Sequence, residues 1–152
     1  MSYEITLEIA SPLILAAART SVPAGGVAAV WRPALDKVWA FLRADQMPNA
    51  GLNVFLYHHP DHPGEAMTVD FGVQVLNRFD DQGGLICVAT PSGQVAQTVH
   101  VGPYSGLGEA HSAIRRWCRE NQRQLASASW EIYGHWNDDP QKLETKICYL
   151  LA

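Results

Sequence analysis

The fold is decided by residues 100–133, HVGPYSGLGEAHSAIRRWCRENQRQLASASWEIY. Gly102 to Gly106 form a glycine- and proline-rich turn, and residues 107–121 carry the apolar stripe of an amphipathic helix. Trp130-Glu131-Ile132-Tyr133 predicts a strand in which Glu131 and Tyr133 share one face, because side chains alternate along a strand. A carboxylate and a phenol on one face of an otherwise apolar strand indicate a functional site.

The composition favours a single soluble domain over residues 1–152. Hydrophobic residues make up 47% of the chain, enough for a core that needs neither disulfides nor metals. The net charge of -4 argues against nucleic-acid binding, which usually requires a basic surface. No apolar run approaches the roughly 20 residues of a membrane span, and the N-terminus lacks a signal-peptide pattern. We therefore expect a cytoplasmic protein without membrane contact, whose three scattered cysteines are reduced.

Outside this stretch, the chain shows the same order of elements twice, β-β-α-β-β, with a polar boundary near residues 80–84. Alternating and helical patterns in residues 1–80 predict strands at 3–10, 13–22, 53–58 and 67–76 and a helix at 27–44. Residues 81–152 predict strands at 85–89, 94–101, 130–136 and 143–151 around the helix at 107–121. The chain therefore divides into two similar halves.

A constant difference in residue number relates the two halves. Residues of similar class stand 76 positions apart at ten places, including Trp31 with Leu107 and Tyr57 with Tyr133. We predict an α+β fold of duplicated units in which two helices pack on an antiparallel sheet with pseudo-two-fold symmetry. A cleft between the halves is the natural ligand site, with Glu131 in one half corresponding to Phe55 in the other.

Several short motifs carry a family resemblance: His100-Val101-Gly102-Pro103-Tyr104, Ala113-Ile114-Arg115-Arg116-Trp117, Trp130-Glu131-Ile132-Tyr133 and, more weakly, Asp70-Phe71-Gly72-Val73. Together they resemble the GyrI-like domain, also called the AraC-type effector-binding domain, of the SOUL/GyrI superfamily. The resemblance implies two β-α-β-β repeats around a cleft that binds bulky, cationic, aromatic compounds through Glu131. Many relatives carry a DNA-binding helical domain ahead of this one. Because this chain begins directly in a strand, it resembles a stand-alone ligand binder.

The predicted ligand-binding residues combine one carboxylate with aromatic groups and one imidazole: Phe55, Tyr57, His100, Tyr104, Glu131 and Tyr133. A carboxylate among aromatic rings suits a lipophilic cation, which supplies the missing charge partner and gains cation–π attraction. The competing interpretation pairs Glu131 with a basic residue such as Lys146. Tyr104 either covers the cleft mouth or pins its turn. His100 and His111 either transfer protons near the cleft or are structural.

The sequence and the family resemblance together leave three functions open, of which the second and third are implied by the resemblance. The first is binding of a hydrophobic, cationic small molecule, for sensing or sequestration, without cofactor or metal; His58, His59, Asp61 and His62 lack the spacing of a metal motif. The second is hydrolysis of strained, cyclopropane-containing toxins, with Glu131 as general base and Tyr133 or Tyr104 positioning the leaving group. The third is an inhibitor module for a protein partner such as gyrase. A homodimer is compatible with each.

Overall fold

The computed structural model describes residues 2–152, which fold into two α-helices, two short 3-10 helices and eight strands. The first half contains β1 (Thr6–Ala10), β2 (Ile14–Val22), α1 (Val27–Ala44), β3 (Asn49–His58) and β4 (Met67–Val75). The second half contains β5 (Ile86–Ala89), β6 (Gly93–Val101), α2 (Leu107–Glu120), β7 (Leu125–Tyr133) and β8 (Glu144–Leu151). The predicted α+β class is confirmed, and α1 has the predicted bounds. Strand β7 begins earlier and ends earlier than predicted.

All eight strands join in one antiparallel sheet with the order β1-β6-β8-β7-β3-β4-β2-β5. The two halves meet at its centre, where β3 pairs with β7 and Phe55 lies directly opposite Glu131. Phe55 pairs with Phe71 on its other side, and Glu131 pairs with Ile147. Both residues of the second pair stand 76 positions after those of the first. The predicted register therefore describes the central strands.

The edge strands follow a different register. Leu15 pairs with Val88, whereas Val95 pairs with Glu8, which relates β2 to β6 by 80 positions instead of 76. Helix α1 has 18 residues and α2 has 14, which accounts for the difference of four. Strand β1 also pairs with β6 of the second half, and β5 pairs with β2 of the first half. The halves therefore exchange their first strands.

Both helices cover the same face of the sheet. The buried side of α1, formed by Leu35, Val38 and Leu42, packs on a cluster that includes Phe55 and Phe71. The buried side of α2 consists of Leu107, Ala110, Ile114 and Cys118, which pack on Ala96, Ile147 and Tyr149. These stripes follow from apolar residues at spacings of three and four. Strand alternation turns Glu131 and Tyr133 toward the helices.

The opposite face is closed by curling of the sheet. Three residues, 11–13, connect β1 at one edge to β2 near the other edge, and residues 90–92 connect β5 to β6 in the same way. In a flat sheet these strands would lie roughly 29 Å apart, whereas such linkers reach roughly 14 Å. The linkers also bond to each other, since Thr90 N–H donates to Leu13 O at 3.0 Å and Leu13 N–H donates to Thr90 Oγ1 at 2.8 Å. This curl encloses a second core that contains Leu15, Val54, Leu56, Val95, Trp130 and Cys148.

Candidate ligand-binding cleft

A cleft of about 670 Å³ opens on the helix-covered face, where α1, the turn before α2 and the centre of the sheet meet. Aromatic side chains dominate its lining: Trp31, Phe55, Tyr57, Tyr104, Tyr133 and Trp136. Val27, Leu35 and Leu107 add aliphatic surface, and Asn53 and Ser105 add polar groups. Among the described residues that line the cleft, Glu131 is the one with a charged side chain.

The central strand pair sets the base of the cleft. Glu131 and Tyr133 alternate onto the same face of β7, and Phe55 and Tyr57 alternate onto the matching face of β3. The rings interlock edge to face, with centroids 4.9 Å apart for Phe55 and Tyr133 and 5.3 Å apart for Tyr104 and Tyr133. This packing fixes the aromatic floor on rigid elements of the sheet.

The Glu131 carboxylate is held by three hydrogen bonds. Tyr57 and Tyr133 donate their hydroxyl groups to Oε1 at 2.5 and 2.7 Å, and His111 Nε2 lies 2.7 Å from Oε2. The side chain is buried, with 4% of the residue exposed. Because a carboxylate offers about four acceptor positions, one position on Oε2 remains for a further donor.

These contacts keep Glu131 ionised. Burial would raise its pKa, but the hydrogen bonds from His111, Tyr57 and Tyr133 and the attraction of His111 outweigh burial and hold the pKa below its usual value. Burial and the adjacent carboxylate raise the pKa of Tyr57 and Tyr133, so both phenols remain neutral donors at neutral pH. The base of the cleft therefore presents an ionised carboxylate that two neutral hydroxyl groups and the His111 imidazole hold by hydrogen bonds.

A polar network continues from Glu131 to the protein surface beneath α2. His111 Nδ1 lies 2.7 Å from the Tyr149 hydroxyl oxygen, which accepts a hydrogen bond from Arg115 Nη1 at 2.9 Å. The ring of His59 stacks on Tyr149 with centroids 5.9 Å apart, and its Nε2 lies 2.7 Å from Ser129 Oγ. Burial lowers the pKa of His59, and neighbouring basic groups add to this effect.

Five of the six predicted residues meet at this cleft, namely Phe55, Tyr57, Tyr104, Glu131 and Tyr133. Tyr104 lies at the mouth, with 38% of the residue exposed. The alternative pairing of Glu131 with Lys146 is wrong, because Lys146 lies opposite Ile132 and shares the other face of the sheet with it. The actual partner, His111, comes from α2.

The assignment of His100 to the cleft needs correction. Its side chain is buried outside the cleft, where Nδ1 lies 2.8 Å from the Tyr3 hydroxyl oxygen and Nε2 lies 2.8 Å from Pro103 O. Gly106 packs so closely against the ring that an added Cβ would lie 2.7 Å from Cε1. His100 therefore fixes the turn that leads into α2, which is the structural alternative.

Sequence reasoning missed several lining residues. The apolar stripe of α1 predicts Trp31 as a core residue, but it is half-buried and lines the cleft against Phe55, at 6.3 Å between ring centroids. Trp136 lies at the mouth with 71% of the residue exposed. Asn53 accepts a hydrogen bond from Trp39 Nε1 at 2.8 Å, which gives the off-stripe Trp39 a partner beside the cleft. The pseudo-symmetric register pairs Trp31 with Leu107, which also lines the cleft, but it gives no cleft-lining equivalent for Asn53 or Trp136.

Two further sequence predictions concern the histidines near residues 58–62 and the absence of a membrane span. His58 and His59 point to different partners, since His58 Nε2 lies 2.8 Å from Asp70 Oδ2, whereas His59 bonds to Ser129. Asp70 also binds Arg19 through two bonds, at 2.8 and 2.9 Å. Neither helix among residues 2–152 is long and apolar enough to cross a membrane.

Comparison with known proteins identifies relatives of this fold. No curated protein matches the chain in sequence. The crystal structure of the EcmrR C-terminal domain superposes with a TM-score of 0.76 at 23% identity, covering 100% of this chain and 99% of that chain. The structure of SAV2435 bound to tetraphenylphosphonium gives a TM-score of 0.71 at 14% identity, with 100% and 94% covered. A hydrolase encoded by lin2189 from Listeria innocua gives 0.57 at 12% identity, with 98% and 92% covered.

At these identities the solved structures establish the shared fold. The family itself is established by sequence, because the profile of the GyrI-like small molecule binding domain matches residues 1–151. The two helices on an eight-stranded antiparallel sheet agree with that assignment. The chain therefore belongs to the family of GyrI-like small molecule binding domains.

Proposed function

We propose that the cleft binds a bulky, lipophilic, aromatic cation, for sensing or sequestration, and that Glu131 supplies the charge that selects it. The observation that carries this proposal is a buried, ionised carboxylate at the base of an aromatic cleft whose described lining includes no lysine or arginine. The same residues define what the ligand has to offer: a positive charge, aromatic or apolar surface, and considerable size.

The charge argument follows from the cost of burying an ion. Hydroxyl groups of Tyr57 and Tyr133 solvate the carboxylate but do not neutralise it. A cation whose centre lies roughly 8 Å from Glu131 gains about 2 kcal/mol at an effective dielectric constant of about 20. That energy corresponds to roughly a 30-fold gain in affinity over a neutral ligand of the same shape.

The aromatic walls add size and shape selectivity. Six rings surround the space above the carboxylate, and a cation against such rings gains roughly 0.5 to 2 kcal/mol of cation–π attraction. The volume of about 670 Å³ lies within the range of roughly 300 to 1,000 Å³ typical of small-molecule sites. Tetraphenylphosphonium, the compound bound in SAV2435, has the chemistry that this proposal requires.

Tetraphenylphosphonium is therefore the first probe to use. Quenching of tryptophan fluorescence should saturate, since Trp31 and Trp136 line the cleft. Glu131→Gln should weaken binding by roughly 30-fold, because the amide keeps the shape and loses the charge. A matched control is Glu144→Gln, which removes an exposed carboxylate from β8. Equal affinities for wild type and Glu131→Gln would refute the proposal.

A second candidate function is hydrolysis of a strained electrophile in the same cleft. The free acceptor position on Glu131 Oε2 favours it, since a water bound there would lie beside a carboxylate. The lowered pKa of Glu131 works against it, because a weaker base removes a proton less effectively. Incubation with a cyclopropane-containing toxin, followed by mass spectrometry, separates the two candidates. Catalytic accumulation of the water adduct would favour the hydrolase, and stoichiometric binding without turnover would favour the binder.

A further inference from the structure

We propose that His111 is a positioning residue that couples cation binding to proton exchange. Arg115, Tyr149 and His111 form a directed chain of hydrogen bonds that ends on Glu131, so that a bound cation and a proton on His111 compete for one carboxylate. This inference rests on the proposed cation site and adds a second, pH-dependent determinant of its affinity.

The direction of the chain follows from what each group can do. Arginine has no acceptor, so Arg115 Nη1 donates to the Tyr149 oxygen. An ionised carboxylate has no hydrogen to donate, so His111 carries a hydrogen on Nε2 and donates it to Glu131 Oε2. The Tyr149 hydroxyl hydrogen is then free to donate to His111 Nδ1, which fixes the neutral imidazole with its hydrogen on Nε2.

Protonation of His111 would reverse the middle bond. Nδ1 would have to donate to the Tyr149 oxygen, which already accepts from Arg115. The imidazolium would also lie near the Arg115 guanidinium, and like charges at that distance repel. Glu131 favours the imidazolium, and Arg115 opposes it. The balance makes the proton on His111 sensitive to any further positive charge in the cleft.

Titratable and charged groups surround His111: Glu131 from β7, Tyr57 and His59 from β3, Tyr149 from β8 and Arg115 from its own helix. Both phenols stay neutral, since burial raises the pKa of Tyr57 and Tyr149. His59 is the other group in this cluster that could titrate near neutrality, and it contacts Tyr149 but not Glu131. It is therefore the internal control for the role of His111.

The competition predicts the sign of the pH dependence. When the His111 imidazole is neutral, Glu131 offers its full negative charge to the ligand. As pH falls, a proton on His111 compensates that charge, so affinity for the cation should fall. The loss should amount to roughly tenfold between pH 8 and pH 5.5, because the imidazolium and the ligand cation would lie roughly 10 Å apart. Under conditions where His111 is protonated, cation binding should release protons from the protein.

The test uses the full chain and tetraphenylphosphonium. Fluorescence titrations from pH 5.5 to pH 8 give the affinity profile, and calorimetry in two buffers of different ionisation enthalpy gives the proton release. His111→Gln should abolish both effects, because its amide can donate to Glu131 but cannot take up a proton. His59→Gln should retain both effects.

Arg115→Met extends the test to the far end of the chain of hydrogen bonds that leads to Glu131. Loss of the guanidinium favours the imidazolium, so the acidic loss of affinity should begin at a higher pH. Arg119→Met removes the same charge from the next turn of α2, where the exposed side chain makes no hydrogen bond to residues 2–152, and should leave the profile unchanged.

A flat pH profile in wild type, or an unchanged profile in His111→Gln, would overturn the coupling. If Glu131→Gln still weakens binding in that case, the proposed cation site stands and the coupling alone fails. If Glu131→Gln has no effect, the proposed function fails first.

Discussion

Removal of the Tyr57 hydroxyl group from the base of the cleft should lower the free energy of unfolding. Tyr57 donates to Glu131 Oε1 at 2.5 Å, and both side chains are buried. Hydrogen bonds to charged groups contribute roughly 1.5 to 3 kcal/mol, so Tyr57→Phe should lower the free energy of unfolding by about 2 kcal/mol. With a urea m-value of about 2 kcal/mol/M, the unfolding midpoint should fall by about 1 M.

A double-mutant cycle isolates the part of this loss that depends on charge. In the Glu131→Gln background the same hydroxyl donates to a neutral amide, where a hydrogen bond contributes roughly 1 kcal/mol. Tyr57→Phe should therefore cost about 1 kcal/mol less there than in wild type. Urea titrations followed by far-ultraviolet circular dichroism measure all four corners of the cycle.

Tyr104→Phe is the matched control. Its ring lines the same cleft, but its hydroxyl makes no hydrogen bond within residues 2–152, so the change should stay within about 0.5 kcal/mol. If Tyr57→Phe lowers the free energy of unfolding no more than Tyr104→Phe does, the hydrogen bond from Tyr57 to Glu131 does not stabilise the fold. A cycle without coupling would equally refute the claim that Glu131 is ionised at the base of the cleft.

Four other predictions concern packing, backbone space and pH. Phe55→Ala should weaken tetraphenylphosphonium binding, measured by fluorescence, by roughly tenfold, because it removes an aromatic wall opposite Glu131. Gly108→Ala should stabilise α2 by up to about 1 kcal/mol in urea titrations, since its added Cβ meets open space. Gly134→Ala should destabilise the fold, because its Cβ would lie 2.9 Å from Glu144 O, and a neutral or stabilising effect would contradict this close approach of the two backbones. Stability should also fall as pH drops below about 6.5, because unfolded His59 takes up a proton that the folded state disfavours, and His59→Gln should reduce that fall.

Local pattern was sufficient to predict most of the fold. Apolar spacing gave α1 its bounds, and alternation placed Glu131 and Tyr133 on one face of β7. The offset of 76 also relates Phe55 to Glu131, and the two lie opposite each other because a two-fold axis through the sheet centre pairs equivalent residues. Duplication made a long-range contact predictable from one chain.

Contacts that the duplication does not repeat could not be predicted in this way. His111 is the partner of Glu131, but its equivalent 76 positions earlier is Leu35, so the symmetry gives no signal for an imidazole there. The exchange of β1 and β5 depends on two three-residue linkers that cross over the curled sheet, a feature of the whole fold. His100 has the residue type of a site residue, and only its contacts with Tyr3 and Pro103 identify it as structural.

Charge selectivity of the cleft tests most directly whether Glu131 selects a cation. Tetraphenylphosphonium and tetraphenylborate have nearly the same shape and opposite charge, so the ratio of their affinities reports the sign of the potential in the cleft. The ratio should favour the phosphonium in wild type and should fall by roughly 100-fold or more in Glu131→Gln, because reversal of the ligand charge doubles the electrostatic difference. The same ratio in wild type and Glu131→Gln would contradict the central claim that Glu131 selects a cation.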